Sequence, residues 1–408
     1  MQALLSAILS KASGAMFTLA LVVYLSHAVG SEASGYFYFT LAVAVMLSQL
    51  LRLGMDGVVL RLASRYCYSG DRDALRILAG DILVYLTCCG MLMVLLGKTV
   101  EDYAAPLFFA GGAPQLLYET ALYSFVPFTL MWIGAALLKG IGKTSLSVFI
   151  EAGSVSLLVL LWMQLSATAA VTALLRANVV AALLTLVLVL RYAGCMICLP
   201  GLLLRCRELM VESVRGVWVA ISNTLIVWSP LFFLGVLGTP ADVGVYNAAF
   251  RVTMVVGAFS AVFRGIATPQ LAGLLRRKES PVPFLRRSMA HIMVAGLLVL
   301  AASALTFDRL FAYFGADFSA ASALAMLMLA GMLTNVLFVI METQLILAER
   351  NDLLRSNALF TLLVGLPLTL VLIVLFQAYG AALGFVLTNV LSRSNLLYLF
   401  NRSYACRI

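Results

Sequence analysis

Twelve uninterrupted apolar runs, 17 to 28 residues long, constrain what this 408-residue chain can fold into more than any motif in it. They cover 4–29, 35–53, 77–96, 116–138, 145–163 and 169–190, then 214–237, 243–267, 289–305, 320–347, 358–376 and 380–400. A bilayer core about 30 Å thick is crossed by roughly 20 helical residues, so each run has the length of one crossing. Strands of a membrane barrel would instead alternate apolar and polar residues over segments of about ten, and these runs do not alternate. A water-soluble fold is excluded by composition: 63% of residues are hydrophobic and 11% charged, where soluble domains are roughly 25% charged. The expected fold is an all-α integral membrane protein with twelve transmembrane helices.

Charge then supplies an orientation. There are 27 basic and 18 acidic residues, a net charge of +9. Twenty-one basic residues fall on one side of the expected array. They include Arg61, Arg65, Arg72 and Arg76 after the second run, Lys139 and Lys143 after the fourth, and Arg191, Arg205, Arg207 and Arg215 after the sixth. The others follow the eighth, tenth and twelfth runs, whereas the opposite loops hold only Lys98 and Arg309. The positive-inside rule therefore predicts both termini in the cytoplasm. Most of the positive charge is a topology signal, and nucleic acid is not an expected partner. The seven cysteines, none in an outer loop on this topology, predict no disulfides; Cys195 and Cys198 have CxxC spacing, but no second pair or histidine completes a metal site.

Six runs precede and six follow a more polar stretch, predicting bundles at 1–190 and 214–408 joined by a cytoplasmic linker at 191–213. After Pro200-Gly201 the linker reads as an amphipathic helix, with Arg205, Glu208 and Glu212 on one face and Leu202, Leu203, Leu209 and Met210 supplying apolar contact. The turn Gly30-Ser31-Glu32-Ala33-Ser34-Gly35-Tyr36 resembles Gly238-Thr239-Pro240-Ala241-Asp242-Val243-Gly244-Val245-Tyr246, with its glycines offset by 208 and 209 residues. An even number of crossings per half makes the halves parallel repeats, related by a pseudo-two-fold axis along the membrane normal, with the transport path expected between them.

Few motifs carry chemistry. Gly140-Ile141-Gly142-Lys143-Thr144-Ser145 ends like a phosphate-binding loop, but Leu137 stands where the first glycine belongs and no strand precedes it. It reads as a short turn, and no nucleotide or other cofactor is expected. Tyr36, Phe37, Tyr38, Phe39, Tyr118 and Tyr123 read as an interfacial aromatic belt. Charges inside helices are more informative, because each costs about 2.5–3.5 kcal/mol at a helix centre and usually faces protein or water. Four cations fall there: Lys11, Arg52, Arg176 and Arg251. Asn247 lies one turn before Arg251 and Ser48 one turn before Arg52, so each cation continues a polar stripe. Such a set would hold an anionic substrate, Arg presenting a planar fork to its oxygens. The same residues could instead pair internally, as the i, i+4 spacing of Arg52 and Asp56 allows. Of the acids, Glu151 is the deepest and the candidate for a coupling ion.

Together these fragments resemble the multidrug/oligosaccharidyl-lipid/polysaccharide exporter superfamily, and within it the bacterial O-antigen and polysaccharide repeat-unit flippases. The resemblance is carried by the Gly30–Tyr36 turn, by Leu53-Gly54-Met55-Asp56-Gly57 with Arg61, by Leu234-Gly235, by Val243-Gly244-Val245-Tyr246-Asn247-Ala248-Ala249-Phe250-Arg251, and by Leu138-Lys139-Gly140-Ile141-Gly142-Lys143-Thr144. It implies flipping of a polyprenyl-pyrophosphate-linked oligosaccharide from the inner to the outer leaflet of the bacterial inner membrane. The cleft would be lined by helices 1, 2, 7 and 8, which favours Lys11, Arg52 and Arg251 over Arg176 as substrate contacts. Its partners would be the lipid-linked glycan, membrane lipid, a polysaccharide polymerase and a chain-length regulator; the transporter itself would be monomeric and powered by a proton or cation gradient. Drug/cation antiporters of that superfamily place an acid in helix 1, where this chain has Lys11. A membrane polymerase or acyltransferase is the remaining alternative, disfavoured because the longest outer segment, 97–115, has no histidine.

Overall fold

The computed structural model describes residues 2–104, 108–109, 114–166, 169–257, 259–277 and 279–404. Lys278, Cys406, Arg407 and part of the 97–115 segment lie outside them. The described residues are overwhelmingly helical and contain no strand. The helices are α1 (Gln2–Arg52), α2 (Met55–Ser69), α3 (Arg72–Ala104), α4 (Gln115–Gly140), α5 (Thr144–Ala152), α6 (Ser154–Leu165) and α7 (Ala170–Tyr192). They continue with α8 (Leu202–Leu237), α9 (Pro240–Gly257), α10 (Phe259–Arg277), α11 (Val282–Ala312), α12 (Ala321–Leu337), α13 (Val339–Leu347) and α14 (Asn351–Tyr404). Among the described residues, seven helical stretches are long and apolar enough to cross a bilayer, eight if α5 and α6, bent by 53° at Gly153, form one span. This is a multi-pass membrane protein.

Two of those stretches, of 44 and 52 residues, are more than twice the length of one crossing. Each contains a break. In α1, Gly30 adopts φ 81° and ψ −180°, a conformation open to glycine. In α14 the break is at Gln377, φ 49° and ψ −123°. Here the chain doubles back: Gly380 lies against the Leu372 carbonyl and Gly384 against Thr369. The Thr369 and Thr388 hydroxyls are 3.4 Å apart, and Asn395 donates to Asn357 at 2.9 Å. Eight residues along a continuous helix would be separated by about 12 Å, so the Gly380–Leu372 contact makes α14 an antiparallel hairpin.

The chain divides into two compact units. The first comprises residues up to Leu25 together with Tyr36–Ile221; the second comprises Ser26–Gly35 together with the chain from Ser222 onward. In the first, the early arm of α1 runs parallel to α5 and α6. Ser6 meets Ser145 at 2.7 Å, Gly14 abuts Ala152 and Gly153, and Thr18 donates to the Ala152 carbonyl at 3.2 Å, with Ser156 Oγ 3.1 Å away. The core lies among α2, α3, α4 and α7, where Val59, Ala63, Ile133, Leu137 and Leu138 are buried. The expected aromatic belt is mostly core as well. Phe37, Tyr38, Phe39 and Tyr118 are buried, Phe39 sits 4.9 Å from both Phe108 and Phe109, and Tyr118 stacks on Phe108 at 5.5 Å; only Tyr123 of the six is exposed. These rings pack against an aromatic pair that the sequence pattern did not connect to them.

The linker also differs from expectation. Instead of a separate surface helix followed by a crossing, α8 runs unbroken from Leu202 to Leu237, because Val211-Glu212-Ser213-Val214 contains no helix breaker. Its first turns are tied to the first unit. Arg205 forks onto the buried Asp81 of α3 at 2.8 and 3.0 Å and reaches the carbonyls of Pro200 and Cys198 at 2.7 and 2.6 Å, while Arg61 of α2 meets Glu212 at 2.9 Å. The hydrogen bonds to Asp81 hold the Arg205 guanidinium above its usual range.

In the second unit, the two glycine-bearing turns meet. Gly35 abuts the Pro240 carbonyl and Gly244 abuts the Ser31 carbonyl. Both pairs are related by the same 209-residue offset, so the contact is reciprocal. Ser31 also donates to Asp317 at 3.2 Å.

Candidate functional site

The structure separates the candidate residues into three environments. Arg52 ends the second arm of α1, and Leu53 (φ 47°) and Gly54 (φ 82°) then turn the chain through two left-handed residues. That turn brings Asp56, in the first turn of α2, back onto Arg52. Arg52 Nη1 lies 2.6 Å from Asp56, Nη2 donates to Gln49 at 2.6 Å, and the guanidinium covers Trp132 of α4 at 4.9 Å. With its side chain 4% exposed, Arg52 is fully engaged inside the first unit. This is the internal pairing that the i, i+4 spacing allows: a buried charge needs partners, and the Leu53-Gly54-Met55-Asp56-Gly57 motif supplies one of them. Ser48 is likewise sealed, completely buried with Thr129 Oγ1 at 3.2 Å. It fastens α1 to α4.

Glu151, at the end of α5 just before the Gly153 bend, accepts from Lys139 of α4 at 2.9 and 3.1 Å. Its charge interacts electrostatically with Arg52 and Asp56 as well. Arg52, Asp56, Lys139 and Glu151 thus form a balanced quartet of two cations and two anions where α1, α2, α4 and α5 converge. Glu151 is available to a coupling ion only in competition with Lys139.

The other cations remain accessible. Lys11 is exposed on the first arm of α1, one turn before the Gly14–Gly153 contact. Arg176 is exposed on α7 and lies over Trp162 of α6 at 5.5 Å, the arrangement of a cation lying along an apolar surface. In the second unit, Arg251 of α9 is half-buried and lies over Trp228 of α8 at 5.5 Å. Asn247, one turn earlier on α9, is 1% exposed, and neither its amide oxygen nor its amide nitrogen has a hydrogen-bond partner among the described residues. A buried amide left in that state is costly, of order 1–3 kcal/mol.

The tryptophans under Arg52, Arg176 and Arg251 were not singled out from sequence, since no spacing rule links a cation to an aromatic on another helix. A second polar group of the C-terminal unit was missed for the same reason. Arg393 of α14 and Arg264 of α10 approach Glu342 of α13 at 3.2 and 3.7 Å, and Arg393 also donates to Asn335 of α12. Within the Gly140–Ser145 segment, residues 141–143 form the turn between α4 and α5, with Gly142 at φ 82° and the Lys143 ammonium over the Tyr192 ring at 4.6 Å.

No protein-family model matches this chain, and no curated protein matches it by sequence. Solved structures do. The lipid II flippase MurJ in an inward closed conformation superposes with a TM-score of 0.76 at 11% identity, over 98% of this chain and 88% of MurJ. An inward-facing multidrug-resistance MATE transporter of the MOP superfamily gives 0.67 at 16% identity, over 96% and 95%. An outward-facing MATE transporter of the same superfamily gives 0.57 at 18%, over 98% and 94%. These likenesses establish the fold: nearly the whole chain shares the helical architecture of these solved structures.

Proposed function

We propose that this chain is a flippase that moves an anionic, polyprenyl-pyrophosphate-linked oligosaccharide, an O-antigen or polysaccharide repeat unit, from the inner to the outer leaflet of a bacterial inner membrane. The proposal includes twelve crossings in two parallel six-helix repeats with both termini in the cytoplasm, which the arginine-rich loops and the reciprocal Gly35/Gly244 contact support. Alternating access would expose the site to each leaflet in turn.

The observation that carries the reading is on α9. Arg251 keeps part of its surface open beside Trp228, and the buried Asn247 amide one turn away has no hydrogen-bond partner among the described residues. The Arg251 guanidinium suits a phosphate oxygen, and the buried Asn247 amide would meet a sugar hydroxyl in a conformation that opens α9 to the substrate path. Lys11, exposed on α1, is the second cation assigned to substrate. Arg52, Ser48 and Glu151 hold the first unit together instead, and a coupling proton or cation would have to displace Lys139 from Glu151.

The test is complementation of a repeat-unit flippase deletion. The wild-type chain should restore long-chain polymer, Arg251→Ala and Asn247→Ala should each cut it roughly tenfold, and Arg251→Lys should keep an intermediate level. Absence of restored polymer by the wild-type chain in hosts of several repeat-unit chemistries would sink the reading. The likeness to MATE transporters supports a second reading, a drug or cation antiporter. It requires altered drug susceptibility on expression, with polymer unchanged.

A further inference from the structure

The first unit contains a cavity of about 590 Å³ away from all the candidate residues above, within the roughly 300–1,000 Å³ typical of small-molecule pockets. It opens where the α2–α3 turn, the α4–α5 turn and the end of α7 meet. Four cations line it, Arg72, Arg76, Lys143 and Arg191, against one carboxylate, Asp71. Asp71 is already committed, accepting from the Ala74 amide at 2.9 Å as the cap of α3. Arg76 is partly neutralised by Asp73 at 3.2 Å and packs over Gly194. Among the described residues Arg72, Lys143 and Arg191 have no carboxylate in ion-pair contact, so three positive charges share one concavity.

Two further features organise it for an anion. Tyr192 lies on the wall, with the Lys143 ammonium 4.6 Å and the Arg191 guanidinium 5.9 Å from its ring centroid. The ring holds both cationic heads at one wall without neutralising either. Helices α3 and α5 both begin here, at Arg72 and Thr144, and the positive ends of their dipoles add to the side-chain charge.

We infer that this cavity is a binding site for a phosphate-bearing anion, filled in the membrane by the headgroup of an acidic phospholipid. The cavity lies on the face of the arginine-rich loops. On the proposed topology this is the inner leaflet, where basic pockets between transmembrane helices take acidic headgroups. The site is distinct from the α9 residues, so it stands whether the transported substrate is a glycolipid or a drug. Lys143 of the phosphate-loop-like turn thus contacts phosphate without any nucleotide chemistry.

The test uses the purified full-length chain in nanodiscs. Retention of lipid is read by native mass spectrometry, with cardiolipin or phosphatidylglycerol against zwitterionic phosphatidylcholine. A second arm reads the thermal shift given by inorganic phosphate in detergent. Acidic lipid should be retained at least tenfold over phosphatidylcholine, and the Arg72→Ala/Arg191→Ala variant, altered only at exposed residues, should lose that preference while melting within a few degrees of wild type. A shift with inorganic phosphate that the double variant abolishes, in the absence of lipid preference, assigns the site to soluble phosphate. Equal retention of acidic and zwitterionic lipid with no phosphate shift overturns the proposal, and so does an acidic-lipid preference that survives in the double variant. Complementation by the double variant separates this site from transport, because polymer restoration tests only the α9 reading.

Discussion

Arg52 illustrates how a buried charge in a membrane helix becomes structural. Its i, i+4 relation to Asp56 was legible in the sequence, because the spacing is local. The stacking on Trp132 and the neighbouring Lys139–Glu151 pair were not, because they depend on how α4 and α5 pack against α1 and α2. Removing one partner of a buried pair strands the other. Arg52→Ala should therefore lower stability by about 2–3 kcal/mol, below the largest such effects because Asp56 keeps 32% of its surface. Arg52→Ala/Asp56→Ala should recover part of that loss, as read by thermal melting in detergent. If Arg52 acted on substrate instead, the single variant would melt like wild type and fail only in transport. Asn247 lies at the opposite extreme: its amide is buried with no hydrogen-bond partner among the described residues, so Asn247→Leu should melt at or above the wild-type temperature while losing transport.

At the scale of elements, apolar periodicity located most helices. The runs ending at 29 and 376 stop at the breaks seen at Gly30 and Gln377. It missed the 53° bend at Gly153, since 145–163 has the length of a single crossing and contains no proline, and the bend lies where Gly14 of α1 packs against Gly153. It also missed the continuity of α8, whose polar first turns resembled a surface linker. Arg205→Ala should loosen that junction, leaving Asp81 unpaired and speeding proteolysis within 194–201 while the remainder of the chain stays resistant. The glycine turns give a sharper test. A methyl at Gly35 or Gly244 would meet backbone carbonyl groups that cannot move aside, and overpacking of this kind costs about 1–3 kcal/mol. Gly57→Ala, on α2 with nothing within 4 Å, should instead stabilise by up to about 1 kcal/mol through helix propensity. Equal melting temperatures for Gly35→Ala and Gly57→Ala would remove the contact from the account.

At the scale of the molecule, composition and run length sufficed for a multi-pass helical membrane fold, which the solved structures share at 11–18% identity. The sequence could not show that the division into compact units ignores chain order. Ser26–Gly35 belongs with the unit that begins at Ser222, while the residues on either side of it belong to the other. The second unit is therefore assembled from two pieces of chain separated by Tyr36–Ile221. At about 5–20 residues per second of synthesis, the early piece waits on the order of ten to forty seconds for its partner to emerge. A fragment beginning at Ser222 would lack that piece and should be degraded when expressed alone. It should accumulate when the 1–221 fragment is supplied in the same cell, since assembly depends on a turn made long before the unit it completes.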